Sequence, residues 1–323
     1  MLLKYFKSTE SAVRFLVWGG LFLVVLFDCI ALNVMKIRVE LNAIQIAASV
    51  LAFMLFSYAF IKSADQLYLK GNKKASYVFK LIGQSFEVID QFIVFIFSAV
   101  VFVYIMSASS RDLYDAEILS MDRWLGMDVV NVLSWVNQHP YINEILQASY
   151  LSYWQLPVVA VALTMCKKSI TAYKVILCLT IASTICSVIS YFFPAVAPFN
   201  FLNLIATDYP NVNMISGYHH LHDYLGMRDG TLKSLDLLQL KGVITFPSTH
   251  ASIAVIMIWG FWHIDWLRWP LLIFNLIALV SIPITGGHYL TDAIFGIIIA
   301  VISILLVNRI VGFVENKFKT IEN

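Results

Sequence analysis

Eight stretches of this chain are so apolar, and so nearly free of charge, that only lipid suits them as a solvent. They lie near residues 13–35, 42–62, 86–108, 142–165, 172–193, 251–266, 270–287 and 289–311. A helix needs about 20 residues to cross the hydrocarbon core of a bilayer. In that core, where no water can satisfy the backbone, helices and closed barrels are the structures that span. The pattern therefore predicts an all-α fold, a polytopic transmembrane helix bundle of about eight spans. Only 13% of the 323 residues are charged and 60% are hydrophobic, against about 25% charged in a soluble domain. A net charge of +2 with no basic arm excludes a nucleic-acid partner. Cys29, Cys166, Cys178 and Cys186 sit in or beside apolar runs without Cys-x-x-Cys spacing, and read as small buried hydrophobes. Lys4, Lys7 and Arg14 precede the first run in the manner of a signal peptide. That run is too long for a signal h-region, so it reads as a first span.

Orientation follows from charge. Most of the 22 Lys and Arg residues fall on one side of such a bundle, among them Lys70, Lys73, Lys74, Lys167, Lys168, Lys174, Arg309 and Lys317. The positive-inside rule makes that side cytoplasmic. The expectation is a multi-pass protein of the cell membrane, both termini cytoplasmic, surrounded by membrane lipids. Residues 1–75 supply two N-terminal transmembrane helices, and residues 76–323 the remaining six-helix core. On the extracytoplasmic side the core carries a polar segment, 110–140, and a long loop, 194–250. Within the former, Trp124, Leu125, Val129, Val132, Leu133 and Trp135 are spaced to give one apolar face, which predicts a helix lying among the headgroups. The long loop keeps aromatic and apolar residues throughout and reads as folded and functional.

Two short segments carry the chemistry. Phe246-Pro247-Ser248-Thr249-His250 leads from the long loop into the sixth span. Gly286-Gly287-His288-Tyr289-Leu290-Thr291-Asp292 turns the seventh span into the eighth. Both fall on the same side of the membrane, so the two histidines can meet at one end of the bundle. His288 and Asp292, four apart, share a helix face, where the carboxylate can fix the tautomer of the imidazole. A neutral, oriented imidazole is a nucleophile toward phosphorus, and a second histidine can protonate the leaving oxygen. The sixth and eighth helices both begin here, and their positive ends and free N–H groups are expected to favour an anion. Ser248 or Thr249 is expected to cap the sixth helix or donate to a phosphate oxygen.

The Pro-Ser-Thr-His element followed by His-x-x-x-Asp resembles the second and third motifs of the type 2 phosphatidic acid phosphatase (PAP2) superfamily, over roughly residues 120 to 310. The resemblance implies His288 as the phosphohistidine nucleophile, His250 as the general acid and Asp292 as the residue that orients His288. It departs from the family in two places. Ile282 stands after Ser281 where the third motif has arginine, and Phe193-Pro194-Ala195-Val196-Ala197-Pro198 replaces the Lys-x6-Arg-Pro motif. Those departures are similar to the inositolphosphotransferase branch, which includes the inositol phosphorylceramide synthases. Losing two basic groups leaves a phosphate short of positive charge. Arg228 is the expected replacement, because its planar fork can grip two oxygens. Gly287 is expected beside the phosphate, with Lys233, Lys241, Gln147 and Tyr150 around the headgroup.

The resulting expectation is an integral membrane lipid phosphotransferase or phosphatase. Its substrate is a lipid phosphate ester or diphosphate, its acceptor water or the hydroxyl of an alcohol or second lipid, and it needs no cofactor and no metal. His219, His220 and His222 lack zinc-site spacing and read as loop or headgroup packing. Two rival readings stand beside this one. Transport would draw on the intramembrane carboxylates Asp28, Glu87 and Asp90, and a serine hydrolase would use Ser248.

Overall fold

The computed structural model describes residues 6, 8–40, 42–151 and 155–322. Six helices among them are long and apolar enough to cross a membrane. They are α1 (Thr9–Met35), α2 (Asn42–Leu69), α3 (Lys73–Ser107), α8 (Ser169–Phe192), α13 (Arg268–Thr285) and α14 (Leu290–Glu322). The protein is thus an all-α polytopic membrane bundle. Ser8 and Ser11 close a reciprocal cap on α1, and the Asn72 side chain caps α3. Helix α8 is the axis. Tyr173, Val175, Ile176, Cys178 and Leu179 are fully buried around its whole circumference, as expected for a helix that is apolar on every side. Helix α1 is built into this core through Val13, Val17 and Leu21. By contrast, α2 rests chiefly on α3 and exposes Ile44, Leu51, Leu55 and Phe56. The two N-terminal helices therefore differ in kind, one central and one peripheral. Cys178 and Cys186 are buried, but Cys29 and Cys166 are exposed on the bundle surface.

Two of the expected spans take another form. The run 142–165 divides into α6 (Pro140–Tyr150) and α7 (Gln155–Met165), with residues 152–154 outside the described set. The run 251–266 yields only α12 (Thr249–Phe261), 13 residues long. At 1.5 Å per residue α12 rises about 20 Å, less than the roughly 30 Å apolar layer. One of its ends must therefore be covered by protein. It is the Ser248 end, where Ser248 and Ala251 are fully buried.

Helices α1, α3, α8 and α13 rise to one end of the bundle, the top, while α2, the α6–α7 pair, α12 and α14 descend from it. At the top, β1 (Arg38–Val39) pairs in parallel with β2 (Ser234–Leu235), tying the end of α1 to the long loop. That loop carries three short helices, α9 (Pro198–Phe201), α10 (Ile215–Tyr218) and α11 (Leu221–Asp229). The polar segment forms two helices where one was expected, α4 (Asp115–Trp124) and α5 (Val129–Asn137). Gly126, at φ +79°, turns the chain between them. The turn also breaks up the expected apolar face: Val129 and Leu133 are buried, whereas Trp124, Leu125 and Trp135 are exposed.

Candidate active site

His250 and His288 meet beneath the loop 194–248, their ring centroids 5.7 Å apart and edge to face. His250 sits in the first turn of α12, started by the Ser248 cap, whose hydroxyl accepts from Ala251 N at 3.4 Å. Its ring lies flat on Tyr150 of α6, 4.6 Å between centroids and 11° between planes. His288 belongs to the link between α13 and α14. Gly286 leaves room for it: a methyl there would lie 2.6 Å from Ile282 O, 2.7 Å from the Tyr150 ring and 2.9 Å from the His288 ring. Gly287, at φ +64°, packs on Gly217 and Phe199, away from the histidines.

The hydrogen bonds of His288 define its chemistry. Nδ1 lies 3.0 Å from Thr245 O and 3.1 Å from Asp292 Oδ2. Both partners accept, so Nδ1 carries a proton, and the neutral form of the ring has its lone pair on Nε2. The same Asp292 oxygen accepts from Tyr289 N at 2.9 Å. These bonds fix the orientation of the His288 ring.

A second pair of carboxylates, which the motifs do not announce, holds this link in place. Asp122 of α4 accepts from Leu290 N and Thr291 N, each at 2.8 Å, and from the Thr291 hydroxyl at 2.6 Å. Asp115, two turns earlier on the same helix, accepts from the Tyr289 hydroxyl at 2.8 Å and from Val196 N at 3.0 Å. Burial pushes the Asp115 carboxyl up from the usual carboxylate range, while the bonds from Val196, Tyr289 and Ala197 draw it back. One signal in the sequence could have found them. Two aspartates seven apart on a helix share a face, and neither is solvated here.

These bonds correct one expectation. The first N–H groups of α14 are not free for an anion, because Asp122 occupies them. At α12 the Ser248 hydroxyl takes Ala251 N, and Ser248 N donates to Asp292 O at 3.0 Å. Ser248 is a buried cap rather than a surface donor, and Thr249 opens α12 outside the cavity wall.

The cavity above the two histidines has a volume of about 270 Å³. His219, His220 and Lys241 from the long loop face His250 and His288 across it, with Tyr150, Ala197, Thr245 and Gly286 completing much of the wall. Lys241 is the cation that lines it, and its ammonium lies 3.4 Å from Asp223. Burial, acting against the nearby hydrogen bonds, leaves Asp223 with a net shift below the usual carboxylate range, the bonds from Tyr104, His222 and Lys241 prevailing. Arg228 is not brought to this wall; its guanidinium donates to Arg111 O at 2.5 Å and covers the Tyr224 ring. Lys233 is exposed beside β2, and Gln147 is half-buried on α6; neither lines the cavity. His222 is exposed against Asp223. His220 is 5% exposed, and its Nδ1 lies 3.3 Å from Ser216 O. Burial pushes the His220 imidazole down to about 4, with His219 and His288 nearby adding to the effect. At neutral pH it is uncharged.

The model of one family, described as the PAP2 superfamily, matches residues 116–306. The chain belongs to the PAP2 superfamily. That match begins one residue after Asp115 and runs into α14, so both histidine segments and Asp122 lie in the PAP2 region, with Asp115 just before it. Membership supports phosphatase-type enzyme chemistry on a lipid phosphate, whether by hydrolysis or by transfer. Helices α1–α3 precede the PAP2 match. No curated protein and no solved structure matches the chain.

Proposed function

We propose that this PAP2 protein is a lipid phosphotransferase working through a phosphohistidine on His288, with water as a slower acceptor. One observation carries the reading: Nδ1 of His288 faces two acceptors, so the neutral form of the ring has its lone pair on Nε2. In the first step Nε2 attacks phosphorus, the P–O bond to the leaving group breaks, and that oxygen takes a proton from His250, whose imidazolium form the bound phosphoryl anion favours. Asp292 stabilises the positive charge that develops on His288, as the carboxylate of a catalytic triad does. The acceptor's oxygen then displaces His288. Lys241 is the neutralising charge. A single lysine, itself shared with Asp223, suits a singly charged diester better than a doubly charged monoester. That charge balance favours the inositolphosphotransferase-like branch, with transfer of a substituted phosphate. The Lys/Arg bias of the connecting segments supports a site on the extracytoplasmic face and both termini inside.

The deciding experiment incubates the purified full chain with radiophosphate-labelled lipid monoesters, diesters and diphosphates, with and without alcohols, and traps the protein in base. A base-stable, acid-labile adduct that is lost in His288→Ala, together with a fall in turnover of about 10⁴-fold or more, is the expected result. Full turnover in His288→Ala would instead support a different nucleophile, and no turnover of any probe by wild type would support a transporter.

A further inference from the structure

The cavity contains two further histidines, His219 and His220, for which the two-histidine scheme has no task. His220 lies on the wall formed by the long loop, whereas His250 lies on the deep wall, pinned flat against Tyr150. Ser216 O takes the Nδ1 proton of His220, which leaves Nε2 as the ring atom with a lone pair. A second hollow, about 450 Å³ and lined by Val212, Met214, Ile215 and Tyr218 among others, adjoins this wall. His219 lines both spaces. His219 is the residue the two spaces share, and its neighbour His220 lines the cavity that holds His288.

We propose that His220 is the base for the acceptor, and that the hollow beside it holds the body of an alcohol whose hydroxyl His220 Nε2 receives. This rests on the phosphohistidine reading above and assigns its second half. The acceptor oxygen attacks phosphorus and its proton passes to His220 Nε2. The P–N bond breaks and returns its electron pair to His288 Nε2. His220 then releases the proton to solvent through the hollow, and His250 regains from solvent the proton it gave to the first leaving group. A neutral imidazole is the form needed to accept a proton. A phosphoryl anion bound beside it raises its proton affinity at that step. Separate residues for the two proton transfers also explain why His250 can remain clamped: it serves the donor and need not swing to the acceptor.

The test separates the two half-reactions. Full-length wild type and His220→Asn are mixed with radiophosphate-labelled phosphatidic acid as the monoester probe or phosphatidylglycerol as the diester probe. Adduct and released product are followed over milliseconds to minutes, with glycerol as the acceptor probe. Asparagine can keep a donor toward Ser216 but offers no imidazole base. The expected result is adduct formation within about threefold of wild type, product release slowed by about 10²-fold or more, and hence accumulation of the adduct. In His220→Ala, added imidazole should restore release, which a purely structural role would not produce. Release unchanged in His220→Asn, or both steps slowed alike, overturns the assignment to His220. No adduct on wild type overturns the His288 reading and this one with it.

Discussion

Asp122 holds the start of α14 by three hydrogen bonds, and the substitution Asp122→Asn tests whether the catalytic link depends on them. Oδ1 serves Thr291 N and Thr291 Oγ1, and Oδ2 serves Leu290 N. An asparagine can keep one oxygen in place, but then its NH₂ group faces a backbone N–H. At least one charge-assisted bond is lost, worth about 1.5–3 kcal/mol, and a buried donor is left unpaired at about 1–3 kcal/mol. A net cost of roughly 3 kcal/mol follows, about a hundredfold in the population of the aligned first turn of α14. Asp292 sits in that turn and His288 just before it, so kcat should fall by up to about 10²-fold, with KM little changed because the cavity wall is intact. Steady-state turnover in detergent, paired with a thermal unfolding curve, measures both effects. Turnover within about threefold of wild type and an unchanged midpoint would refute the idea that α4 holds the site. Asp122→Ala should be no milder than Asp122→Asn, since for this pair of partners the isosteric amide is not conservative.

Three further outcomes follow. Gly286→Ala puts a methyl against Ile282 O, Tyr150 and His288; the carbonyl cannot yield, so His288 must shift and turnover should fall by about 10²-fold or more, since misplacement of about 1 Å costs that much. Lys241→Gln should raise KM for the phosphate donor about tenfold, as expected for one charge-assisted bond, while Arg228→Gln should leave KM near wild type; the reverse order would make Arg228 the phosphate ligand. His220 titrates near 4 when folded and near 6.5 unfolded. Its depressed value contributes stability above about 6.5 that is lost as pH falls toward 4, by roughly 3 kcal/mol at most. Unfolding midpoints of wild type should therefore drop more steeply than those of His220→Asn between those values, and parallel curves would count against it.

The spans were legible because apolar length is a local property. Val13 to Met35 or Leu290 to Val311 can hardly be anything but a helix in lipid. Of the two exceptions, α12 shows what length misses. Whether a run crosses the whole layer depends on what covers its ends, and here a loop ending at Ser248 does so. His288 and Asp292 were legible as a pair because four residues make one helical turn. The cation was not. Its planar fork favoured Arg228 along the chain, but α11 ends with Arg228 turned to Arg111 O, while Lys241, beyond β2, lines the wall. Asp115 and Asp122 were hidden for a related reason: their partners, Tyr289 to Thr291, lie far off in sequence, and acidic residues in a polar segment ordinarily face water. The triple-histidine run reads as surface packing until the fold turns His219 and His220 inward.

Gly296 of α14 meets α12 with no side chain between them; a methyl there would run into the Ser248 carbonyl and the Ala251 Cβ. Two rods in backbone contact cannot be prised apart or slid without breaking that seam, so the inner half of the reaction chamber acts as an anvil. Any yielding that admits a bulky guest must come from the opposite half, the folded strap carrying His219, His220 and Lys241. Substrate entry and acceptor choice are then matters for the strap, and bond making and breaking for the anvil.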